Sequence, residues 1–572
     1  MRQDRSGPGT VHFEGQAGAI FHAKNPVWDG ATGTIRLVAA RGELVGVELI
    51  FERAGEEPVE EIRVELRDLA GADGKTFPAA AHARKFRTWY VKPKDEYLSE
   101  YAIPDDGPLS VPFAKNEIPG QKHQGLLLDF HVPPETAPGA YAGKLGLSAR
   151  GIAPFELELR LEVFPATLPG ELSFNPELNS YGPPGGAGSD YYYAAHKLAH
   201  YHRCTLNTLP YSQSGKIREP WDAPVRDGKV ADWSAFDKTL GPLLDGSLFK
   251  DNPRAGVPVK TFYLGFFEQY PEDFTKHFKW KKPGANAAQV TEYRLLGPKP
   301  AEAFEASYRE LFASVVDDYA KHFAAKGWTR AEAQFYLNNK DNEHGKNFWH
   351  LDEPASEPDY QALAEWGRMW REGLKNHAGV PLYYRADVSR PYWAFGQLDG
   401  LVDHMYVNGR AFSMPRTIEE LHRRNPYRWY VYGSCNAPGK SNLQSAAWCL
   451  KAWALGAEGV LPWNATGKPD FKKGNDLALI TAGEGAGHAG PVASLRVLAL
   501  RRGAQDAELL RLWMARKKWT LGQAAALVST KVPLASEFKQ AFDDDAAAVD
   551  FEHLSVQGFA ELKEGLLRTL SE

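Results

Sequence analysis

The stretch Ala333-Gln334-Phe335-Tyr336-Leu337-Asn338 has the length and the apolar, aromatic composition of a β-strand. A helical pattern, with apolar residues at three- and four-residue steps, precedes it over 303–325. A second helical pattern follows over 359–377 and leads to a further strand, Val380–Arg385. Helices that alternate with strands in this way predict a parallel sheet.

The same rhythm extends in both directions from this stretch, from about residue 172 to residue 463. Eight strand candidates alternate with helices or long loops: 174–179, 205–209, 257–264, 333–338, 380–385, 400–406, 428–432 and 459–463. Eight such repeats over roughly 300 residues fit a (β/α)8 barrel better than an open sheet. We therefore predict a TIM-like barrel over residues 169–486.

The chain on either side of the predicted barrel has a different pattern. Residues 1–168 contain short strands separated by turns with Pro and Gly, and 155–163 alternates strictly between apolar and charged residues. Such alternation is typical of a half-buried strand, and the region predicts a β-sandwich. Residues 487–572 contain helical patterns. The predicted fold class is multidomain α/β, with an N-terminal β-sandwich domain, a central barrel and a C-terminal helical extension.

The bulk composition argues against several classes of protein. The formal net charge of the 572 residues is −5 and no dense Lys/Arg stripe occurs, which argues against nucleic acid as a partner. No apolar run approaches the ~18 residues that a membrane span requires. Three cysteines (Cys204, Cys435 and Cys449) lack a C-x-x-C spacing, so neither a disulfide framework nor a zinc site is indicated.

The first residues, Met1-Arg2-Gln3-Asp4-Arg5, lack the apolar segment of a signal peptide. The compartment stays open: the protein is secreted or periplasmic if a signal peptide has been trimmed, and cytoplasmic otherwise. The sequence does not indicate the oligomeric state either.

Candidate functional residues are found by inspecting the ends of the predicted strands, because working residues of such barrels lie at the carboxyl ends of the strands and in the loops that follow. These ends carry amides, phenols, an indole and carboxylates, namely Asn179, Tyr181, Asn207, Tyr211, Glu268, Asn338–Asp341, Asp387, Tyr406, Asn408, Tyr432, Ser434, Trp463 and Asn464. The set has neither the His/Cys cluster of a transition-metal site nor a Gly-rich phosphate loop. We therefore expect no metal and no cofactor. The 16 Trp and 24 Tyr are compatible with stacking on sugar rings, although large cores would also use them.

Adjacent carboxylates, Asp352 and Glu353, occur in the stretch Trp349-His350-Leu351-Asp352-Glu353-Pro354. Glycoside cleavage requires a carboxylic acid that protonates the leaving oxygen. Neighbouring Cα atoms are ~3.8 Å apart and their side chains diverge, which is awkward for two carboxylates that flank one bond. The adjacency suits a substrate-assisted mechanism, in which the sugar's 2-acetamido oxygen is the nucleophile. The alternative is an acidic surface loop at a helix start, since acidic residues favour first turns.

Two blocks resemble glycoside hydrolase family 123 and the wider group that shares its catalytic domain of unknown function 4091. The first is Asp352-Glu353-Pro354 after an aromatic-rich strand. The second is the Tyr/Trp-rich strand 429–435, followed by a helix, a turn of small residues and a strand that ends at Trp463. The resemblance implies an N-terminal β-sandwich, a (β/α)8 barrel and a retaining β-N-acetylgalactosaminidase, a β-N-acetylhexosaminidase that acts on glycans through an oxazolinium intermediate.

The resemblance also implies roles for the pair: Asp352 orients the acetamido group and Glu353 is the general acid/base. One departure affects their placement. The fourth strand ends near 338–341 and Asp352 lies eleven residues after Asp341, so the pair falls either on the strand end or on a long loop. Asn338, Asn339 and Asp341 therefore become further candidates for the pocket.

Several other residues are predicted to support the site. Trp463 is a candidate floor for the sugar, and Tyr406 is the first choice and Tyr432 the second for a phenol that holds the acetamido oxygen. Arg385 is expected to lower the pKa of Asp352, while burial raises that of Glu353. The remaining candidates for substrate contact or the aromatic wall are Asn408, Asp387, Trp393, Trp349, Tyr384, Asp403 and His404. For each aromatic residue, packing in the core is the competing interpretation.

Two other functions remain open from the sequence. One is a double-displacement retaining glycosidase on another sugar, which would use Glu353 with Asp387 or Asp403 about 5 Å away. The other is a non-catalytic carbohydrate-binding protein on a barrel scaffold. His196, His200 and His202 have a spacing that suggests a metal at first, but no acidic residue accompanies them, so no metal site is predicted.

Overall fold

The N-terminal part of the protein consists of two sheets. In the computed structural model the described residues are 25–53, 55–211, 217–277, 299–339, 349–538 and 549–572. The first sheet contains β1 (Trp28–Asp29), β2 (Thr34–Arg41), β4 (Val59–Leu66), β5 (Leu69–Gly71), β6 (Thr76–Phe77), β9 (Leu109–Val111), β11 (Gly139–Ala149) and β12 (Ile152–Thr167). The second contains β3 (Glu43–Glu52), β7 (Ala83–Val91), β8 (Leu98–Pro104), β10 (His123–Val132), β23 (Thr466–Gly467), β24 (Ile480–Ala482) and β25 (Pro491–Ser494).

Residues of both sheets form one buried apolar cluster. Leu159, Leu161 and Val163 of β12 are buried, while the charged residues between them face outward. They share the cluster with Val47 of β3 and Leu128 of β10. The period-two alternation of β12 thus supplies one apolar face of a two-sheet core.

The centre of the molecule is a nearly closed parallel barrel. In the described part of the chain its eight strands are β13 (Asn175–Ser180), β14 (Thr205–Thr208), β17 (Thr261–Tyr263), β18 (Glu332–Tyr336), β19 (Leu382–Val388), β20 (His404–Asn408), β21 (Arg428–Gly433) and β22 (Gly459–Pro462). The hydrogen-bonded order is β14-β13-β22-β21-β20-β19-β18-β17. The alternating strand pattern of the sequence therefore predicted the sheet correctly.

Side chains bridge the remaining gap between β14 and β17. The backbone N–H of Tyr263 donates to Asn207 Oδ1 at 3.0 Å, and that of Lys260 donates to Thr205 Oγ1 at 3.3 Å. Asn207 and Thr205 thereby take the place of backbone carbonyls, and they bring the last strand of the order beside the first.

Helices surround the sheets and continue to the C-terminus. They are α1 (Ala79–His82), α2 (Asp190–Tyr201), α3 (Ser234–Leu244), α4 (Pro300–Ala303), α5 (Ala306–Lys326), α6 (Glu357–Leu374), α7 (Pro415–Arg424), α8 (Leu443–Ala454), α9 (Leu495–Lys517), α10 (Leu521–Lys531) and α11 (Val556–Ser571). Short strand pairs, β15 (Val225–Arg226) with β16 (Lys229–Val230) and β26 (Ser536–Phe538) with β27 (Val549–Phe551), lie between them. None of the described helices is long and apolar enough to cross a membrane.

The C-terminal region is joined to the N-terminal sheets. Arg496 and Arg501 of α9 form buried ion pairs with Glu100 and Asp129, each at 2.7 Å. Strand β25 pairs with β8, and β24 pairs with β25. The predicted boundary at residue 486 therefore falls between two strands that hydrogen-bond to each other.

Candidate active site

The Asp352–Glu353 pair lies on the loop after β18, and hydrogen bonds return this loop to the strand ends. The backbone N–H groups of Leu351 and Asp352 donate to Asn339 O at 2.8 and 2.9 Å, and that of Glu353 donates to Asp387 O at 3.1 Å. The pair is thus attached to the carboxyl ends of β18 and β19, although it is not part of a strand. Asp341, a predicted pocket residue, lies outside the described residues.

Glu353 has a left-handed backbone conformation, with φ of 57°. A residue with a side chain rarely adopts this conformation, which costs about 1–3 kcal/mol and persists only where the surroundings impose it. The backbone turn at Glu353 redirects its side chain relative to that of Asp352. This is how neighbouring carboxylates, which would diverge in an extended chain, both come to lie in the barrel mouth.

A separate tyrosine holds each carboxylate. Tyr336, the last residue of β18, donates its hydroxyl hydrogen to Asp352 Oδ1 at 2.8 Å. Tyr432, near the end of β21, donates to Glu353 Oε1. Asp352 and Glu353 are 6% and 7% exposed, so neither is a solvated surface charge. Burial, followed by the nearby carboxylates, raises the pKa of both tyrosines, so they remain protonated donors.

A network of buried charges lies beside the pair. Arg385 donates from Nε and Nη2 to the two oxygens of Asp387 at 2.6 and 2.7 Å, and from Nη1 to Glu177 Oε1 at 2.8 Å. Burial raises the pKa of Asp387, and Arg385 opposes that shift. Arg385 thus contacts Asp387 and Glu177, two of the carboxylates around the mouth.

Tyr406 and Asn408 are both buried on β20. The Tyr406 hydroxyl donates to Glu177 Oε2 at 2.6 Å, and its ring stacks on Tyr430 with centroids 4.5 Å apart. The Arg385 guanidinium lies 3.5 Å from the Tyr406 ring centroid. Asn408 Oδ1 accepts from the backbone N–H of Arg410 at 3.0 Å. The structure therefore places Tyr406 in the Arg385–Glu177 network, whereas the second choice of phenol, Tyr432, contacts Glu353.

Trp463 and Tyr181 form an aromatic corner at the ends of β22 and β13. Their rings meet edge to face with centroids 5.9 Å apart, and Trp463 Nε1 donates to Ser434 Oγ at 3.1 Å. Burial raises the pKa of Tyr181, and so do the charges of Asp352, Asp387 and Glu353, in that order. Among the described residues, none hydrogen-bonds to the Tyr181 hydroxyl. Tyr181 stood at a predicted strand end, but nothing in the sequence distinguished it from other tyrosines.

Amide side chains and a further carboxylate extend the polar mouth. Asn339 Nδ2 donates to Glu268 Oε2 at 2.7 Å, and the backbone N–H of Asn338 donates to the Tyr211 hydroxyl at 2.7 Å. Asn338 Nδ2 and Asn339 Oδ1 are buried without a hydrogen-bond partner among the described residues. Glu268, which follows β17, was visible as a strand-end residue, but no local motif pairs it with Asn339.

The other predicted residues are divided between the mouth and the core. Trp393 is 37% exposed in a short 3-10 helix, Pro391–Ala394, after β19. Trp349 and Tyr384 are buried and stack on Phe304 and Phe335, as the core interpretation expected. These two residues therefore belong to the packing around the barrel.

Asp403 and the histidines lie away from the carboxylate pair. Asp403 forms an ion pair with Arg371 at 2.7 Å. Burial lowers the pKa of His404 to about 3, and His404 Nδ1 lies 3.1 Å from Gln334 Nε2, so His404 is a neutral core residue. His200 Nε2 lies 3.0 Å from Val257 O. Among the described residues, no group of three or more His, Cys, Asp or Glu side chains could hold a metal ion.

The chain shares its fold with a glycoside hydrolase of known structure. The chain is similar in structure to a family 123 glycoside hydrolase from Clostridium perfringens, with a TM-score of 0.56 and 12% identity over 94% of this chain and 92% of that chain. A more distant likeness is to a family 5 xyloglucanase from Bacteroides ovatus, with a TM-score of 0.32 and 8% identity over 83% of this chain and 98% of that chain. Another is to a family 39 glycoside hydrolase from Bacteroides cellulosilyticus, with a TM-score of 0.33 and 11% identity over 75% of this chain and 78% of that chain. No family sequence model and no curated protein sequence matches the chain.

Proposed function

We propose that the protein is a retaining β-N-acetylgalactosaminidase that hydrolyses glycans by substrate-assisted catalysis. The observation that carries this proposal is the placement of adjacent carboxylates in one barrel mouth, Asp352 held by Tyr336 and Glu353 by Tyr432. The fold shared with a family 123 glycoside hydrolase supports the class of reaction. That protein is described as acting in glycolipid glycan hydrolysis, which makes a glycoconjugate a reasonable substrate class for this chain.

In the proposed first step, Asp352 accepts a hydrogen bond from the acetamido N–H and so directs the acetamido oxygen at the anomeric carbon. The oxygen forms a bond to this carbon while the bond to the leaving oxygen breaks, and Glu353 gives its proton to that oxygen. In the second step Glu353 takes a proton from water, and the water oxygen opens the oxazolinium ring. The product keeps the β configuration because the anomeric carbon is inverted twice.

We assign the phenol that contacts the acetamido carbonyl to Tyr181. Its ring is 37% exposed at the mouth, and Asp352 is the first of the charges that act on its hydroxyl. Tyr336, Tyr432 and Tyr406 already donate to Asp352, Glu353 and Glu177. Trp463, edge to face with Tyr181, would then form the floor under the sugar.

The double-displacement alternative has weaker support. Asp387 is the carboxylate best placed to act with Glu353, whose backbone N–H donates to Asp387 O. Both Asp387 side-chain oxygens, however, accept from Arg385 within 2.7 Å, which lowers the nucleophilicity of a carboxylate. Asp403 is bound to Arg371 instead. A nucleophile supplied by the sugar avoids this conflict.

The experiment is turnover of aryl β-N-acetylgalactosaminides by the wild type and by Glu353→Gln and Asp352→Asn. Glu353→Gln should lose about 10²–10⁴-fold on poorly activated leaving groups and less on activated ones, because only the former require a proton. Asp352→Asn should lose activity on all of them. A thiazoline that mimics the oxazolinium should inhibit the wild type. Unchanged turnover in both variants would contradict the site, and failure of the thiazoline would favour double displacement.

The division of the chain forms part of the same proposal. We propose that residues 1–168 form a β-sandwich domain beside a catalytic barrel at 169–486, with 487–572 as a helical extension. Strands β23, β24 and β25, from the two later regions, complete the second sheet of that domain. The shared apolar core of the two N-terminal sheets supports the first domain. The ion pairs of Arg496 and Arg501 suggest that the helical extension stabilises the sheets as well as the barrel.

A further inference from the structure

Three exposed aromatic residues occur within four positions of the loop after β19. Tyr392 is 44%, Trp393 37% and Phe395 84% exposed. The Tyr392 and Trp393 rings meet edge to face with centroids 6.0 Å apart, and the Arg390 guanidinium lies 5.0 Å from the Trp393 ring centroid. Single exposed apolar residues are common, but a contiguous aromatic group in solvent indicates a binding surface.

The backbone of this group is strained as well as exposed. Phe395 has φ of 46°, a left-handed conformation that is unfavourable for an aromatic residue, and Gly396 follows with φ of 81°. A Cβ at Gly396 would lie 2.9 Å from Arg424 Nη2, so the turn is packed closely against α7. Strained residues of this kind concentrate at ligand sites. Phe395 is the residue that ends the short helix Pro391–Ala394, and its left-handed conformation leaves its ring 84% exposed.

The aromatic group follows β19, whereas the corner formed by Tyr181 and Trp463 lies at the ends of β13 and β22. Three strands separate β13 from β19 in each direction around the barrel. In one direction they are β22, β21 and β20, and in the other they are β14, β17 and β18. The loops after β13 and β19 are therefore on opposite walls. The Asp352–Glu353 pair follows β18, and the backbone N–H of Glu353 attaches it to β19 through Asp387 O.

We propose that Tyr392, Trp393 and Phe395 form the subsite for the sugar on the leaving-group side of the cleaved bond. This inference rests on the proposed function. If the Tyr181–Trp463 corner holds the sugar whose anomeric carbon reacts, the leaving oxygen points toward Glu353 and the β19 loop. The flat faces of the aromatic rings then receive the apolar C–H face of the second sugar.

The composition of the surface favours a sugar over a membrane. A membrane-binding surface combines aliphatic and aromatic residues with unpaired basic ones. Here the apolar residues are aromatic, and one of the adjacent cations is paired: Arg424 Nη2 donates to Asp399 Oδ2 at 2.7 Å. Such a surface is suited to a sugar ring: the aromatic rings can pack on its apolar face, and the charged groups can hydrogen-bond to the hydroxyl groups at its edge.

The test compares a β-N-acetylgalactosaminyl fluoride, which has no ring on the leaving side, with a disaccharide in which the same sugar is β-linked to galactose. In Trp393→Ala the ratio of kcat/KM for the disaccharide to that for the fluoride should fall about tenfold. Trp393→Phe should restore most of that ratio. The matched control is Phe155→Ala, an exposed aromatic residue of β12, which should leave the ratio unchanged.

Other outcomes separate the possible failures. A wild type that cleaves neither substrate contradicts the proposed function itself. A wild type that cleaves both, with an unchanged ratio in Trp393→Ala and Phe395→Asn, overturns the subsite alone. The subsite is also overturned if these variants keep the ratio but lose binding to phosphatidylcholine vesicles, which would make the surface a lipid contact. Melting curves of each variant verify that the fold is intact.

Discussion

Tyr432 and Glu353 are hydrogen-bonded to each other although they belong to different parts of the barrel. Tyr432 lies on β21, and Glu353 lies on the loop after β18. In the sheet order, two strands (β20 and β19) separate β21 from β18. The bond therefore fixes the direction of the Glu353 carboxylate from the far side of the mouth. Tyr336 fixes Asp352 from the near side.

We expect Tyr432→Phe to lower kcat/KM about 10–100-fold and also to lower the melting temperature, because a buried carboxylate loses its donor. The variant removes the donor that orients Glu353, and a hydrogen bond to a charged partner contributes about 1.5–3 kcal/mol. Steady-state kinetics on an aryl β-N-acetylgalactosaminide measure the effect.

Tyr430→Phe is the matched control for this prediction. Tyr430 lies on the same strand, its hydroxyl is buried without a partner among the described residues, and its ring has the same size. Removing that hydroxyl should be neutral or slightly stabilising, because a buried unsatisfied group is costly. An equal loss of activity in both variants would contradict the specific role of Tyr432.

We expect Glu353→Gly to be more stable than Glu353→Ala, against the usual order of these residues. Glycine adopts φ of 57° without steric cost, whereas alanine retains the left-handed penalty of about 1 kcal/mol. Both variants should be inactive on poorly activated glycosides. The midpoints of urea unfolding compare their stability. The control is Asp352, whose backbone is not left-handed: Asp352→Ala should be more stable than Asp352→Gly, which is the usual order of these residues.

Features contained in one short segment could be predicted from the sequence, whereas contacts between distant segments could not. The eight barrel strands could be predicted from alternation, and Asp352–Glu353 stands out as a candidate pair by its own composition and its place after a strand. Glu177, by contrast, lies 208 residues from Arg385 in sequence, and only barrel closure brings them to 2.8 Å. The partners of the pair, Tyr336 and Tyr432, depend on strand register, which a single sequence does not specify.

Strand register also explains why the contacts of Tyr406 and Tyr432 differ from those predicted. Tyr406 and Tyr432 are both tyrosines at the carboxyl ends of neighbouring strands, so composition could not distinguish them. Their environments are different: Tyr406 lies under Arg385 and donates to Glu177, and Tyr432 donates to Glu353. Positive φ at Glu353 was equally hidden, because it arises from the hydrogen bond to Asp387 O and the closure of the loop.

We expect Arg385→Met to be strongly destabilising, and more so at pH 7.5 than at pH 4.5. The variant leaves Asp387 and Glu177 buried without their cation, and breaking a buried pair costs about 3–5 kcal/mol. Burial already raises the pKa of Asp387, while Arg385 lowers it. Without Arg385 the folded-state pKa rises further above the unfolded value of about 3.9.

A group with a raised folded-state pKa binds more protons in the folded state, so stability falls as pH rises from the unfolded pKa through the folded one. The urea midpoint of the variant should therefore fall further below that of the wild type as pH rises from the unfolded pKa of Asp387 to its folded-state pKa. Arg385→Met combined with Asp387→Asn should abolish much of the pH dependence. A difference that is constant from pH 4.5 to 7.5 would show that Asp387 stays ionised in the variant.

Finally, Tyr181→Phe should weaken inhibition by N-acetylgalactosamine, which keeps the acetamido carbonyl, about tenfold while the melting temperature is unchanged. The Tyr181 hydroxyl has no partner among the described residues and lies in the field of Asp352, so removing it costs the folded protein little. The bound inhibitor, however, would lose a hydrogen bond. Tyr406→Phe provides the contrast, because Glu177 loses a donor at 2.6 Å and the melting temperature should fall. If Tyr181→Phe keeps full affinity for N-acetylgalactosamine, another residue holds the acetamido carbonyl.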